Sequence, residues 1–242
     1  MRVAVLSDIH ANLAALEAVL AAVDADPPDG LWCLGDLVGY GARPNECCAA
    51  IAERAAICLA GNHDLAVAGR LDLFEFSGDA GAAARWTQTI LATDARALLE
   101  RLEPQGERDG VALYHGSARD PVWEYVLSDE SAEATLDLAG APLVLVGHSH
   151  AALVAAERDG ELSGGLAPDG LELDLAAGRT LLNPGSVGQP RDGDWRAAWL
   201  DLDLDARRAT FRRVEYDVER TQREIREAGL PETLAARLAH GI

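Results

Sequence analysis

Met1-Arg2-Val3-Ala4-Val5-Leu6-Ser7-Asp8-Ile9-His10-Ala11-Asn12 opens the chain, and Leu13, Leu16, Leu20 and Val23 follow at helical spacing before Pro27 and Pro28. Val3 to Leu6 is a short apolar run of the kind that forms a buried strand. Asn12 is placed to cap the helix that follows, and the two prolines end it. A buried strand, a polar loop and then a helix is the repeating unit of an α/β protein. Outward from this stretch the pattern recurs, with further buried strands predicted at Leu31 to Leu34, Ile57 to Leu59, Val111 to Tyr114 and Leu143 to Val146. Strands alternating with helices predict parallel pairs joined by right-handed crossovers.

The second half differs. Ala152 to Glu157, Leu171 to Leu175, Thr180 to Leu182, Ala197 to Leu202 and Thr210 to Tyr216 read as strands separated by turns such as Asp159-Gly160 and Asp169-Gly170, which predicts a mostly antiparallel sheet. A helix from about Val218 to Ala228 follows, with Asp217 as N-cap and Gly229 just past its end. The expected fold class is α/β, a four-layer α/β/β/α sandwich of two mixed sheets flanked by helices. The 242 residues fit one such domain, residues 1–242, with an irregular helical insertion at about 69–108.

Hydrophobic residues make up 49% of the chain, which excludes a disordered protein. No run of 18 apolar residues occurs, so no membrane span is expected. Met1 and Arg2 lead directly into the first predicted strand, so no signal peptide is expected. The net charge is −19, from 40 acidic and 21 basic residues, and every basic residue is Arg. Such a surface repels duplex DNA, whose binding rests on basic side chains neutralising phosphates. Cys33, Cys47, Cys48 and Cys58 make no C-x-x-C pair and are expected as free thiols in a reducing cytosol, so the expected location is cytoplasmic.

Six histidines occur, and five of them, His10, His63, His115, His148 and His150, lie directly after apolar runs. Ligands of α/β sheets bind at the carboxyl ends of strands, so these five are expected on one edge. Around them stand Asp8-Ile9-His10, Gly35-Asp36, Gly61-Asn62-His63-Asp64, His115-Gly116 and Gly147-His148-Ser149-His150. Any one of these motifs is commonplace, since a histidine after a strand is usually a packed or capping residue. Together they form a donor set. Imidazole, carboxylate and amide oxygen suit Mn, Fe, Zn, Co or Ni, whereas Mg prefers an all-oxygen shell. The set holds more candidate ligands than one ion takes, and two ions close together need a shared anionic ligand, a role an Asp fills. On an extended segment the side chains of Asp8 and His10, and those of His148 and His150, are expected to point the same way.

The ordered set D-x-H, G-D, G-N-H-D, H and G-H-x-H resembles the calcineurin-like metallophosphoesterase superfamily. The stretches Gly35-Asp36-Leu37-Val38-Gly39-Tyr40-Gly41, Pro44-Asn45-Glu46-Cys47 and Asn183 to Arg191 resemble its small bacterial and archaeal phosphodiesterase-like branch. The resemblance implies that Asp8, His10 and His150 hold one metal, that Asn62, His115 and His148 hold a second, and that Asp36 bridges both. It implies that His63 is a general acid rather than a ligand, with Asp64 orienting it. The implied cofactors are two divalent ions, Mn or Fe, with Zn, Ni or Co also suited to the donors. The family often has Gly where this chain has Ala11, and the branch often has Pro where it has Ala42.

The function expected on this basis is two-metal hydrolysis of a small phosphodiester or nucleotide by an activated water, with no duplex nucleic acid and no membrane as partner. Asn12, Tyr40 and Arg191 are candidate substrate-binding residues. Asn12 equally reads as a helix cap, Tyr40 as part of an exposed loop, and Arg191 as an ion-pair partner of Asp192 or Asp194. Gly185 and Ser186 read as a structural turn and His240 as a solvated residue. A protein phosphatase or a nuclease on the same metals is the alternative, although a nuclease calls for a basic groove or stacking aromatics, and aromatics are only 5% of the chain. A non-catalytic scaffold, as in a retromer subunit of related fold, would have lost ligands that are all present here.

Overall fold

A computed structural model describes residues 1–76 and 78–242. Its elements in chain order are β1 (Arg2–Leu6), α1 (Leu13–Ala25), β2 (Gly30–Cys33), α2 (Pro44–Arg54), β3 (Ala55–Cys58), α3 (Asn62–Val67), α4 (Gly78–Ile90), α5 (Thr93–Arg101), β4 (Gln105–Arg108) and β5 (Val111–Tyr114). There follow α6 (Asp129–Ala139), β6 (Leu143–Leu145), β7 (Ala152–Arg158), β8 (Glu161–Leu166), β9 (Glu172–Asp174), β10 (Arg179–Pro184), β11 (Ala197–Asp203), β12 (Arg208–Val214), α7 (Val218–Glu227) and α8 (Glu232–Ala236). Short 3-10 turns lie at Leu73–Glu75 and Arg237–His240.

The strands form two mixed six-stranded sheets, ordered β3-β2-β1-β11-β12-β9 and β4-β5-β6-β10-β7-β8. In the first, β1, β2 and β3 are parallel and β11 runs antiparallel to β1, with Val3 opposite Leu202. In the second, β5, β6 and β10 are parallel and β7 and β8 antiparallel. The period-two alternation of strand side chains builds the layers. From β1, Val3 and Val5 face the second sheet and join Trp32, Leu113, Leu145, Leu182, Leu200 and Phe211 in the inter-sheet core. Ala4 and Leu6 face the other way, onto Leu16 and Val19 of α1 and Ile51 of α2. The far side of the second sheet is covered by Leu136 of α6 over Val144 and Leu181. The four-layer α/β/β/α sandwich expected from the sequence is the observed architecture.

Three details differ from expectation. The second-half strands do not form one sheet: β9, β11 and β12 extend the first sheet, while β7, β8 and β10 complete the second. Strands β4 (Gln-Gly-Glu-Arg) and β8 (Glu-Leu-Ser-Gly-Gly-Leu) carry no apolar alternation because they are largely exposed edge strands. Asp109-Gly110 and Asp159-Gly160 close their hairpins, and their positive φ pairs (53° and 77°, 53° and 81°) match the two-residue turns that Asp-Gly favours; of the two, only Asp159-Gly160 is among the turns read from the sequence. The span 69–108 contains helices α4 and α5, as a helical insertion should, but ends in β4 rather than in a helix. No helix among the described residues is long and apolar enough to cross a membrane.

Candidate metal centre

The loops after β1 and β2 run side by side. The amide of Asp8 donates to Gly35 O at 3.0 Å, that of His10 to Asp36 O at 2.9 Å and that of Ala11 to Leu37 O at 2.9 Å. The segment after β10 locks this pair from the other side: Ser186 Oγ donates to Asp8 O at 2.7 Å and the Gly188 amide donates to the same oxygen at 2.9 Å. Gly185 (φ 82°) and Ser186 thus form the structural turn read from the sequence, and the turn supports a ligand loop.

Asp8 and His10 are not on an extended segment. Their φ values are 55° and 50°, and those of His148 and His150 are 62° and 58°. The left-handed backbone, not strand geometry, aims each pair inward, which corrects the sequence expectation. Asp36 (55°), Tyr40 (58°) and Ala11 (51°) share this conformation. Non-glycine residues held there carry strain that accumulates at functional sites. Ala11 has only a methyl to interact with its surroundings and gains nothing from the left-handed region. Ala11→Gly is therefore expected to raise stability by about 0.5–1 kcal/mol, the net of relieved strain and a looser unfolded chain. Urea unfolding of the metal-free protein checks this, and a destabilised Ala11→Gly protein would refute the strain argument.

Four histidines present a bare ring nitrogen to a common centre. The Nδ1 atoms of His10, His115 and His150 lie 3.0, 2.9 and 2.6 Å from the carbonyl oxygens of Val38, Leu34 and Gln189. A carbonyl only accepts, so each Nδ1 carries the proton and each Nε2 keeps its lone pair. In His148 the roles reverse, with Nε2 donating to Trp123 O at 3.2 Å and Nδ1 left bare. The bare Nε2 atoms of His10 and His150 face each other at 3.0 Å, and His115 Nε2 faces Asn62 Oδ1 at 3.3 Å. With both atoms acceptors, neither contact is a hydrogen bond. Each brings together two electron pairs suited to a shared cation.

The carboxylates complete the pattern. Asp8 Oδ1 and Asp36 Oδ2 are buried without a hydrogen-bond partner. Asp8 Oδ1 lies 3.5 Å from His150 Nε2 and 4.0 Å from His10 Nε2. Asp36 Oδ2 lies 3.5 Å from His10 Nε2 and 3.6 Å from His115 Nε2. Two groups that could hold a metal ion result, Asp8 with His10, Asp36 and His150, and Asp36 with His115 and His148, so Asp36 belongs to both. Orphaned carboxylate oxygens facing bare imidazole nitrogens fit divalent cations chemically, since a buried anion without a partner is costly. Burial pushes the Asp8 carboxyl up to about 7 and that of Asp36 well above its usual range. Burial also lowers His148 to about 4 and holds His10, His115 and His150 well below theirs, keeping the rings in the neutral form that ligates metals. Gly61 is required here, because a Cβ in its place would lie 1.9 Å from Asp36 Oδ1.

His63 stands beside this centre at the start of α3, its amide donating to Asp36 Oδ1 at 2.9 Å. Its ring packs on those of Tyr40 (4.5 Å), Phe76 (4.9 Å) and His10 (5.0 Å), with Nδ1 buried and unpartnered. Burial, with Arg191 and His148 adding to it, lowers His63 to about 3. Asp64 does not contact that ring. Its oxygens accept the amides of Gly61 (3.0 Å), Leu37 (3.2 Å) and Val38 (3.2 Å), so it ties together the loops that carry the site rather than orienting the ring by a direct hydrogen bond.

The candidate substrate residues divide. Asn12 is a helix cap: its Oδ1 accepts from Ala15 N (3.2 Å) and Thr221 Oγ1 (2.8 Å), and its Nδ2 donates to Gly188 O (2.9 Å). Its amide is engaged within the fold at both ends, which is the helix-cap role that the sequence also allowed. Tyr40 is not in an exposed loop. Its ring packs on His10 at 4.6 Å and its hydroxyl accepts from Arg191 at 3.2 Å. Arg191 pairs with neither Asp192, which is bound to Arg213, nor Asp194, which is bound to Arg196. Sequence reading missed Tyr125, whose ring stacks on His148 at 4.1 Å, and Arg237. Both line a cavity of about 820 Å³ with Tyr40 and Arg191. His240 is exposed, as expected, but it stands at the rim of that cavity.

A family model described as a calcineurin-like phosphoesterase superfamily domain matches residues 1–205. An uncharacterized protein of Methanocaldococcus jannaschii is 36% identical over 99% of this chain and 98% of its own length. The crystal structure of a metallophosphoesterase from Sphaerobacter thermophilus is similar with a TM-score of 0.91 at 43% identity, covering 100% of this chain and 99% of that one. A hypothetical protein from Pyrococcus horikoshii shares the fold, with a TM-score of 0.80 at 23% identity over 100% of this chain and 98% of its own.

Proposed function

The chain belongs to the calcineurin-like phosphoesterase superfamily, and from that membership we propose that it is a two-metal hydrolase of a small phosphodiester or nucleotide. The observation that carries the two-metal reading is Asp36, whose unpartnered Oδ2 stands between His10 and His115 and which is common to both candidate groups. Asp8, His10 and His150 would hold one ion, Asn62, His115 and His148 the other, and Asp36 both. Two divalent ions, Mn or Fe by the donor set, supply Lewis acidity that lowers the pKa of water and offsets charge on phosphoryl oxygens.

The rest falls to the chain's own residues. The backbone carbonyls of Val38, Leu34, Gln189 and Trp123 fix four imidazoles in the ligating tautomer. His63 sits within reach of the centre without belonging to either ligand group, and it is the residue to donate a proton or hydrogen bond to the leaving oxygen. Burial holds the free ring neutral, and an anionic phosphate against it favours the charged form that an acid needs. Tyr40, Tyr125 and Arg191 form the wall between the centre and the cavity, with Arg191 as the cation that meets substrate.

Small substrates are favoured by charge. At −19 most of the surface repels polyanions, so affinity has to come from the metals and the few residues around them. With Mn present, a chromogenic phosphodiester, a cyclic dinucleotide and a dinucleoside tetraphosphate are expected to show higher catalytic efficiency than a single-stranded oligonucleotide at matched salt. If the oligonucleotide is turned over most efficiently, the protein is a nuclease and the charge argument is wrong.

A further inference from the structure

Arg191 is unusual among its neighbours. Nearby Arg43, Arg196, Arg213 and Arg220 each pair with a carboxylate. Among the described residues no carboxylate lies within 4 Å of the Arg191 guanidinium, and its partners are neutral, Tyr40 Oη at 3.2 Å and Gln189 Oε1 at 2.9 Å. Its Nε is buried with no acceptor. Arg237, from the turn that follows α8, reaches the same Gln189 oxygen at 3.4 Å, and it too has no acid partner among the described residues. Two guanidinium groups therefore share one neutral oxygen on the wall of the 820 Å³ cavity. The acid that lines this cavity, Asp79, is hydrogen-bonded to Thr233.

Like charges converging in a partly buried place, inside a protein with 19 excess negative charges, need an anion to balance them. The planar donors of arginine match phosphate oxygens. Burial, followed by the charge of Arg191, disfavours the protonated form of Arg237, and this outweighs the opposing pull of Tyr40 and Asp79. Tyr40, whose ring touches His10 and His63, places the pair beside the metal centre but outside its ligand shell. The cavity is of a size that takes a nucleotide.

We propose that Arg191 and Arg237 form a subsite for a second phosphate of the substrate, next to the phosphate that meets the metal centre. The inference rests on the phosphoesterase reading and deepens it: the preferred substrate is a phosphoester that carries at least two phosphates, such as a nucleoside polyphosphate. Arg237 sets this preference by binding and takes no part in the chemistry at phosphorus.

Equilibrium dialysis at fixed free Mn of radiolabelled AMP and ADP, each as a non-hydrolysable analogue with methylene in place of the bridging ester oxygens, tests it without turnover. Wild-type protein is expected to bind ADP more tightly than AMP by about tenfold or more, the worth of one charge-assisted hydrogen bond. Arg237→Gln is expected to bring that ratio close to one, and Arg237→Lys to keep part of it. Competition against hydrolysis of a chromogenic diester should give the same ratios. No ADP preference in the wild type, or the same ratio in Arg237→Gln as in the wild type, overturns the subsite. If the wild type hydrolyses no phosphoester, the phosphoesterase reading fails while the dialysis ratio still decides the subsite.

Discussion

Asp36→Asn is expected to lose metal and, with it, hydrolysis. The substitution keeps the size of the side chain and the oxygen that accepts the His63 amide, so the loops should hold their shape. What it removes is the negative charge whose free oxygen stands 3.5 and 3.6 Å from His10 and His115. Loss of an outer-shell partner lowers metal affinity by about 10–100-fold, and loss of an anionic ligand shared by two cations should exceed that range. Bound Mn, read by elemental analysis after dialysis, should fall to one equivalent or less, with hydrolysis falling in proportion. The metal-free variant should melt no lower than metal-free wild type, because an unpartnered buried carboxyl has been replaced by a neutral amide. Full metal content in Asp36→Asn would remove Asp36 from the bridging position.

His63→Ala separates chemistry from metal binding. The ring touches Tyr40, Phe76 and His10 but lies in neither candidate ligand group. Metal content should stay near the wild-type level while kcat falls by about 10²–10⁴-fold, the usual cost of losing a general acid. A substrate whose leaving group needs no proton, such as a nitrophenolate ester, should lose less than an alkyl ester, which distinguishes proton donation from a general distortion of the site. If His63→Ala strips a metal, His63 is a ligand and its assignment as acid is wrong.

Much of this site was legible because its chemistry forces unusual residue types onto strand ends. Asp8, His10, Asp36, His115, His148 and His150 stand directly after apolar runs, and the sheets bring those ends together. The sandwich was legible for a similar reason, since β1, β2, β5 and β6 are buried and therefore apolar. The edge strands β4 and β8 were not, because exposed edges need no apolar pattern; of their turns, only Asp159-Gly160 beside β8 is among those read from the sequence. Left-handed backbone at Asp8, His10, His148 and His150 was also invisible, because side-chain spacing says nothing of φ at non-glycine positions. Arg237 escaped notice for a different reason. One arginine in a helical C-terminal stretch looks like any solvated charge, and its meaning appears only when the fold brings it to the Gln189 oxygen that Arg191 also uses.

The central claim is that one buried cluster holds two metal ions and that hydrolysis depends on both. It is tested most directly by adding Mn stepwise to metal-free protein, following bound metal by elemental analysis and hydrolysis of a chromogenic phosphodiester on the same samples. The account predicts that binding approaches two equivalents, that activity keeps rising until the second is bound, and that chelation abolishes it reversibly. Full activity in the metal-free protein, or a plateau of both binding and activity at one equivalent, would contradict it.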